Sequence, residues 1–555
     1  MKKSIHNLVY ALSGFLFFLS WTITNHHAPW NTFYQEFLAL AGIFFLFPWR
    51  KSPSTSKNIF SLITLWCSVL TAQYFIQKIY FGDYLFGIGV ISILWMSYLS
   101  GKQSFYRENS TEINNETVVY ATILAAALAN SIVGLSQWLG VSANIFSLPS
   151  PTYRVYGNMA QPNQLATLLA LGLISLIHFD AKKQVNTFWL LVTSAVLSFT
   201  LASTGSRTGA LSFTVLIVII LFFYKNFKVF TALRWLAPAF VIFWLTYTNW
   251  SLLAIGGNSR TVLSFSSSGR LELWEQMIMA IGMKPWLGWG WLNLGEAQYA
   301  AMKASSLPVK INIDHAHNIF MDFFIWFGIP FGFFLIFKIT KFFLESFHLI
   351  KENSQNHSRL IAFLMLTPIG IHSLLEYPFA YIYFLIPIGF FIGQIENSNN
   401  LTTQNTTKQK TITFAAAIST VIFSGIIAFD YYKIEKDFFA ARLEKEFFTE
   451  TKNRHQYDEN FNFLTQYKSL LHLAKSDQTN SPEISQARKT TMRFPWLSSH
   501  KQYYVELLRN KECFKAGSQI EIIERLFGEF GVAKTEEAAI HAGLTDNCSE
   551  IIRQR

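Results

Sequence analysis

Apolar runs of about membrane-crossing length alternate with short polar loops over the first 430 residues. They run over 8–23, a stretch ending at Phe47, 59–76, 84–99, 118–138, 163–179, 187–203, 210–224 and 229–249. A long polar loop over 250–316 interrupts the series. Apolar runs resume over 317–340, in two spans hinged at Glu376-Tyr377-Pro378, and over 411–429. At roughly 17 to 25 residues each, these are about thirteen transmembrane helices. Met1-Lys-Lys followed by an apolar run has the look of a signal peptide, but no small-x-small site follows, so the first helix is expected to be retained. After residue 429 the pattern becomes polar and amphipathic, as in Gln519-Ile-Glu-Ile-Ile-Glu-Arg-Leu-Phe527, which predicts a helical tail domain. The expected fold is all-α: a polytopic helix bundle over 1–429 with a large external loop, and a separate helical domain over 430–555.

Composition and charge set this bundle in a membrane. Hydrophobic residues make up 51% of the 555, charged residues only 14%, and mean hydropathy is +0.26. The net charge of +11 would suggest nucleic acid in a soluble chain. Here much of it lies in short alternate loops, such as those with Arg50 and Lys51, Lys102 and Arg107, Lys182 and Lys183, and Lys225 and Lys228. That pattern places the N-terminus in the cytoplasm. An odd number of crossings then puts the tail outside, in the periplasm of a Gram-negative cell, with no nucleic-acid partner. Cys67 lies in an apolar span, and Cys513 and Cys548 in the tail are able to pair if the tail is outside. The three cysteines form no metal-ligand cluster.

Four arginines break the charge rule. Arg154, Arg207, Arg260 and Arg270 all map to the external side, where a planar fork of donors suits the phosphate oxygens of an anionic, lipid-linked substrate. In the same set of loops Ile313-Asp-His-Ala-His-Asn318 turns directly into an apolar helix. A histidine at such a mouth stays wet and titrates near neutral pH. His317 is the candidate base, with His315 and Asn318 beside it. His372 and Glu376, spaced i and i+4, share one helix face near the external end of a later span. Asp314 and Glu376 are both candidates to orient His317. Asn158-Met-Ala-Gln161-Pro-Asn163 is a polar patch suited either to capping the helix that follows or to bonding a ligand. The aromatics of Trp274 and Lys284-Pro-Trp-Leu-Gly-Trp-Gly-Trp291 suit sugar stacking or interfacial anchoring.

These landmarks resemble a family. His317-Asn318 followed after nine residues by Gly328, Ser206-Arg207-Thr208-Gly209, Arg270-x-x-x-Trp274 and Pro285-x-x-Gly288-x-Gly290 are similar to motifs of the O-antigen ligase superfamily. Tyr153 through Thr167 and His372-Ser-Leu-Leu-Glu-Tyr-Pro378 resemble, more narrowly, the bacterial protein O-oligosaccharyltransferases of the PglL type. One departure is Gly332, one place later than the ligase pattern has its second glycine. The resemblance implies an inner-membrane enzyme that needs no metal or other cofactor. It implies transfer of a preassembled oligosaccharide from undecaprenyl pyrophosphate to Ser or Thr hydroxyls of a periplasmic, often pilin-like protein. His317 would be the base and the arginines, with Asn158, Gln161, Asn163, His315, Asn318 and His372, the substrate contacts. An O-antigen ligase acting on lipid A core and a glycan polymerase share the donor chemistry. A proton-coupled transporter using His317, His372 and Glu376 is a reading of another class, against which stand their clustering at one face and the lack of a repeat.

The topology is testable in intact cells. A membrane-impermeant thiol reagent should label Cys513 and Cys548, after reduction if they are joined; labelling that requires lysis would put the tail in the cytoplasm.

Overall fold

A computed structural model of the protein describes residues 2–49, 57–104, 114–141, 146–149, 154–253, 270–304, 313–397, 407–447, 463–476, 481–544 and 548. Among them the elements are helices: α1 (Lys2–Thr22), α2 (Phe33–Leu46), α3 (Lys57–Gln77), α4 (Phe81–Ser104), α5 (Asn115–Trp138), α6 (Pro162–Ala181), α7 (Thr187–Ser203) and α8 (Arg207–Phe222). The short α9 (Phe227–Phe230) leads to α10 (Leu233–Thr248) and α11 (Trp250–Leu253), then come α12 (Arg270–Met283), α13 (Leu294–Ala304), α14 (Ile319–Glu352), α15 (His357–Ser373) and α16 (Ile382–Asn397). The long α17 (Thr407–Phe447) precedes α18 (Thr465–Ala474), α19 (Ile484–Arg493), α20 (Leu497–Arg509) and α21 (Cys513–His541). The all-α membrane bundle expected from the sequence is what forms. Among the described residues six helices are long and apolar enough to cross a bilayer, and five further apolar helices are 10–17 residues long.

The chain divides into two compact units: residues 1–61, 90–265 and 339–422, and residues 62–89, 266–338 and 423–555. The first unit is built on α6, whose residues from Asn163 to Ala181 are all buried. Side-chain caps start its helices where the sequence changes from polar to apolar: Asn114 Oδ1 accepts Thr117 N–H at 2.8 Å, Gln161 Oε1 accepts Gln164 N–H at 2.7 Å, and Ser206 Oγ accepts Gly209 N–H at 3.0 Å. Each satisfies a donor that the first helical turn leaves open. Pro162 occupies the first position of α6, where no N–H is needed.

The second unit turns on an interruption in α14. Gly328 has φ of 78°, so the helix breaks inside a candidate membrane span. The turn over 285–290 takes up the freed groups: Ile329 N–H donates to Pro285 O at 2.6 Å, while Trp289 N–H reaches Ile325 O at 2.6 Å and Gly290 N–H reaches Trp326 O at 3.1 Å. The backbones meet so closely that a Cβ on Gly288 would lie 2.5 Å from Gly328 N, and one on Gly328 2.4 Å from Trp286 O. Only glycine fits at either place.

In the same unit the tail helices pack a core of Leu473, Tyr503, Leu507, Leu508, Ile520 and Ile523, and Cys513 is joined to Cys548. Arg493 forks onto Asp83 at 2.7 and 2.9 Å, Arg488 meets Glu296 at 2.7 Å, and Tyr80 OH lies 3.0 Å from Thr490 Oγ1. The tail is therefore tied to α13, to the first turn of α4 and to Tyr80 just before it. It also begins without a helix end, since α17 runs on past residue 430 to Phe447.

His500 lies buried between α20 and α21, where Gln519 Nε2 donates to its Nδ1 at 2.8 Å. Burial lowers its pKa from 6.5 to about 3, so the folded tail holds the ring neutral. The unfolded chain binds the extra proton between those values. Tail stability is thus complete above about pH 6.5 and falls as pH drops toward 3. Amide exchange of α20 and α21 in the full-length protein should lose about 2 kcal/mol more protection between pH 7 and pH 4.5 than the same helices in His500→Gln. Equal losses in the two proteins would show that His500 does not carry the dependence.

Candidate functional site

In the first unit the polar patch before α6 is nailed in place by amides. Gln137 Oε1 accepts Tyr156 N–H and Gly157 N–H at 3.2 and 2.9 Å, and Asn130 Oδ1 accepts Asn158 N–H at 2.8 Å. Asn158 Nδ2 donates to Thr22 O at 2.7 Å and Phe146 O at 2.8 Å, and its Oδ1 accepts Leu148 N–H at 3.1 Å. Its amide group is thus engaged in joining three segments of backbone. Gln161 serves as the cap described above. What these ties deliver is the position of Arg154 and Asn163.

Asn163 is the hub of that arrangement. Its Oδ1 accepts from Arg154 Nη2 at 3.1 Å and from Ser206 Oγ at 2.7 Å, and its Nδ2 donates to Glu376 Oε1 at 3.2 Å. Arg154 Nε donates to Thr204 O at 2.7 Å, so the guanidinium sits on the turn that opens α8. Arg207, exposed, is the first residue of that helix. A guanidinium at a helix N-terminus adds its charge to the positive end of the helix dipole, which makes this corner receptive to anions. Thr167 Oγ1 donates to Asn163 O at 3.1 Å and lies 2.8 Å from His372 Nδ1. That contact ties the His372 ring to α6 beside Asn163. Glu376 N–H closes on His372 O at 2.8 Å. Four predicted residues, Arg154, Asn163, His372 and Glu376, are therefore linked through buried and part-buried bonds.

In the second unit the loop over 313–318 is held at Asn318, Ala316 and His315. Asn318 Oδ1 accepts Phe320 N–H at 2.9 Å and Met321 N–H at 3.3 Å, capping α14. Asp322, wholly buried, accepts Ala316 N–H on Oδ1 at 2.8 Å and lies 3.3 Å from His315 Nδ1 through Oδ2. Trp274 Nε1 donates to Ala316 O at 3.0 Å. Both backbone groups of Ala316 are thus occupied. His317, next in line, is held at φ of 54° and partly exposed, and Asp314 is exposed. Arg270 opens α12, one helical turn before Trp274, so its helix is tied to the His loop. Arg260 lies outside the described residues.

Three acids in these surroundings escaped the sequence reading. Asp322 orients the loop. Glu36, buried in the first turn of α2, accepts from Trp30 Nε1 at 3.0 Å and from the Thr32 hydroxyl. Asp83 receives Arg493. For Asp322 and Glu36 the available signal was a single acid inside an apolar run, which is too unfavourable in a membrane to be incidental; Asp83, between two runs, carries no such signal. Among the described residues no group of three His, Cys, Asp or Glu is spaced to hold a metal.

The fold and these clusters define a polytopic helical membrane protein with a histidine-bearing loop, buried carboxylate groups and arginines bonded at helix starts. Residues 189–337 match the O-antigen ligase family, 155–177 the protein glycosylation ligase family, and 360–536 the C-terminal region of virulence factor membrane-bound polymerases. The chain is 30% identical over 412 residues to the ComP-specific O-oligosaccharyltransferase of Acinetobacter baylyi, covering 72% of each protein. It is 27% identical over 406 residues to the general O-oligosaccharyltransferase of the same organism, covering 70% of each. The chain belongs to the bacterial O-oligosaccharyltransferases of the O-antigen ligase superfamily.

Replacing Asp322 by alanine releases Ala316 N–H and His315 together. Loss of a buried bond to a charged group costs about 1.5–3 kcal/mol, so turnover should fall roughly 10- to 100-fold. Steady-state kinetics of Asp322→Ala beside Asp314→Ala measures this; a variant at position 322 with unaltered turnover would show that the loop holds its shape without that carboxylate.

Proposed function

We propose that the protein transfers a preassembled oligosaccharide from undecaprenyl pyrophosphate to Ser or Thr hydroxyls of periplasmic proteins, pilin-like ones among them, at the outer face of the inner membrane. The observation that carries the reading is the doubly anchored loop presenting His317 at the mouth of α14. The imidazole takes the hydroxyl proton as the oxygen bonds to the anomeric carbon, a role worth typically about 10²–10⁴ in rate. The bond from that carbon to the pyrophosphate oxygen breaks, and the lipid pyrophosphate leaves with its electron pair. Direct displacement inverts the anomeric configuration.

Arg154, Arg207 and Arg270 carry the guanidinium forks suited to the growing negative charge, with Arg260 in the same role. Asn163 and Glu376 hold Arg154 by the chain of bonds already described, and His372 supports Asn163 through Thr167. Asp314, exposed beside the histidines, is a further candidate to tune the base. The two Acinetobacter relatives, by their names, differ in being dedicated to one acceptor or general. The match of residues 155–177 to the protein glycosylation ligase family supports a protein acceptor over the lipid A core.

The measurement is transfer by purified protein from a lipid-linked glycan to an acceptor, read by intact mass, with donor binding scored separately. His317→Ala should lose at least about 10²-fold in product while binding donor nearly normally. Arg207→Ala should weaken both, and Arg207→Lys should restore only part, because charge alone does not reproduce the guanidinium fork. Near-normal product from His317→Ala would remove it as base; donor binding untouched by Arg207→Ala would remove that arginine from the pyrophosphate site.

A further inference from the structure

The aromatic turn before His317 divides into two kinds of residue. Trp289 and Trp291 are buried, the first donating its indole N–H to Ala280 O at 2.8 Å. Trp286 and Leu287, between them and α12, are 76% and 59% exposed. Nothing in the unit's own packing calls for an exposed tryptophan there, and tryptophan is favoured where an apolar face meets lipid headgroups.

The turn's height is set by α3. Gln77 Nε2 donates to Leu287 O and Gly288 O, both at 3.1 Å, and Gln73 Nε2 donates to Trp326 O at 2.7 Å while its Oε1 accepts Trp291 N–H at 3.0 Å. Gln77 ends a candidate span, Ile59–Gln77, that is only 17% buried and so faces lipid over most of its surface. Its last apolar residues, Phe75 and Ile76, are 73% and 66% exposed. The exposed turn thus continues the lipid-facing surface of α3 at its outer end. Lys78 and Lys284, both exposed, flank the patch, and Lys284 Nζ sits 4.1 Å from the Trp289 ring centre. Apolar residues with a cationic rim are the composition of a headgroup boundary.

We propose that the 284–287 turn is a seat on the outer leaflet, with Trp286 and Leu287 among the acyl chains and Lys78 and Lys284 at anionic headgroups, and that it sets the height of the His loop. The link is rigid: the turn is bonded backbone to backbone to α14 at Gly328, and from there nine residues of helix, about 14 Å along the axis, lead to Ile319 and His317. A donor tethered in that leaflet presents its anomeric carbon at a fixed height, so the base has to be held at a matching one. This second part rests on the lipid-linked donor proposed above; the membrane seat does not.

The two parts are tested separately. Nitroxides on Trp286→Cys and Leu287→Cys, made in a Cys67→Ser background and placed in phosphatidylethanolamine–phosphatidylglycerol nanodiscs, should collide with oxygen more than with a water-soluble nickel chelate. A label on exposed Lys303→Cys should show the reverse. Nickel access at 286 and 287 equal to that at 303, or shielding from both reagents as a protein or sugar contact would give, overturns the seat whether or not the protein transfers glycan. In the same nanodiscs Trp286→Glu should lower turnover roughly 10-fold or more, since an error of about 1 Å at a reacting group costs up to about 10²-fold, while leaving it near normal in detergent. Full turnover of Trp286→Glu in the bilayer would overturn the height-setting role.

Discussion

A helix interrupted where water is scarce has to hand its freed N–H and C=O groups to other protein atoms. In this chain the 285–290 turn receives those of α14, and the exchange works only because Gly288 and Gly328 let two backbones touch. Much else in the second unit follows. The turn fixes where α12 ends, α12 carries Trp274, and Trp274 holds Ala316 beside His317. The motif glycines that carry the family resemblance are thereby explained as structural partners of one another. They place the loop that carries His317.

The first unit meets a related constraint with side-chain amides. Polar groups buried among apolar helices need every partner they can find. Asn130, Gln137, Asn158 and Asn163 supply them, each bonding to more than one group. The outcome separates two kinds of arginine. Arg154 is locked by Thr204 and Asn163 and offers a pre-set guanidinium; Arg207, exposed at a helix start, keeps its freedom to close on a ligand. One rigid and one adjustable fork, if they serve the proposed leaving group together, would limit the ordering needed at binding.

Periodicity and punctuation made the helices readable, because a membrane demands long apolar runs and capping demands Asn, Gln, Ser or Pro at their starts. His317, Asn163 and Glu376 were readable for the opposite reason, as polar residues at the mouths of such runs. The acids were not. Asp83 finds its partner Arg493 410 positions later, and no local pattern announces a pairing of that range. Asp322 was nearer to hand, six residues from Ala316, yet its purpose shows only when the loop folds back over the first turn of α14. Asn158 read equally well as a ligand group or a fastener; the choice depends on Thr22, Phe146 and Leu148, which sequence does not bring near.

The Asp83–Arg493 pair also bears on what the tail is for. Taking two charges out of water offsets most of their attraction, so a buried pair contributes little net stability compared with an apolar replacement, whereas removing one partner costs about 3–5 kcal/mol. Its effect is to penalise every arrangement but one. With Asp83 just inside α4 and Arg493 at the end of α19, and with Arg488 and Arg525 reaching Glu296 and Met302 O on α13, the tail has one orientation on the elements that carry the His loop. A domain fastened by three arginines in this way is not a free arm. Whatever binds to the tail is held in a set direction from His317, which is what a transferase needs if a protein acceptor is to offer one hydroxyl to one base.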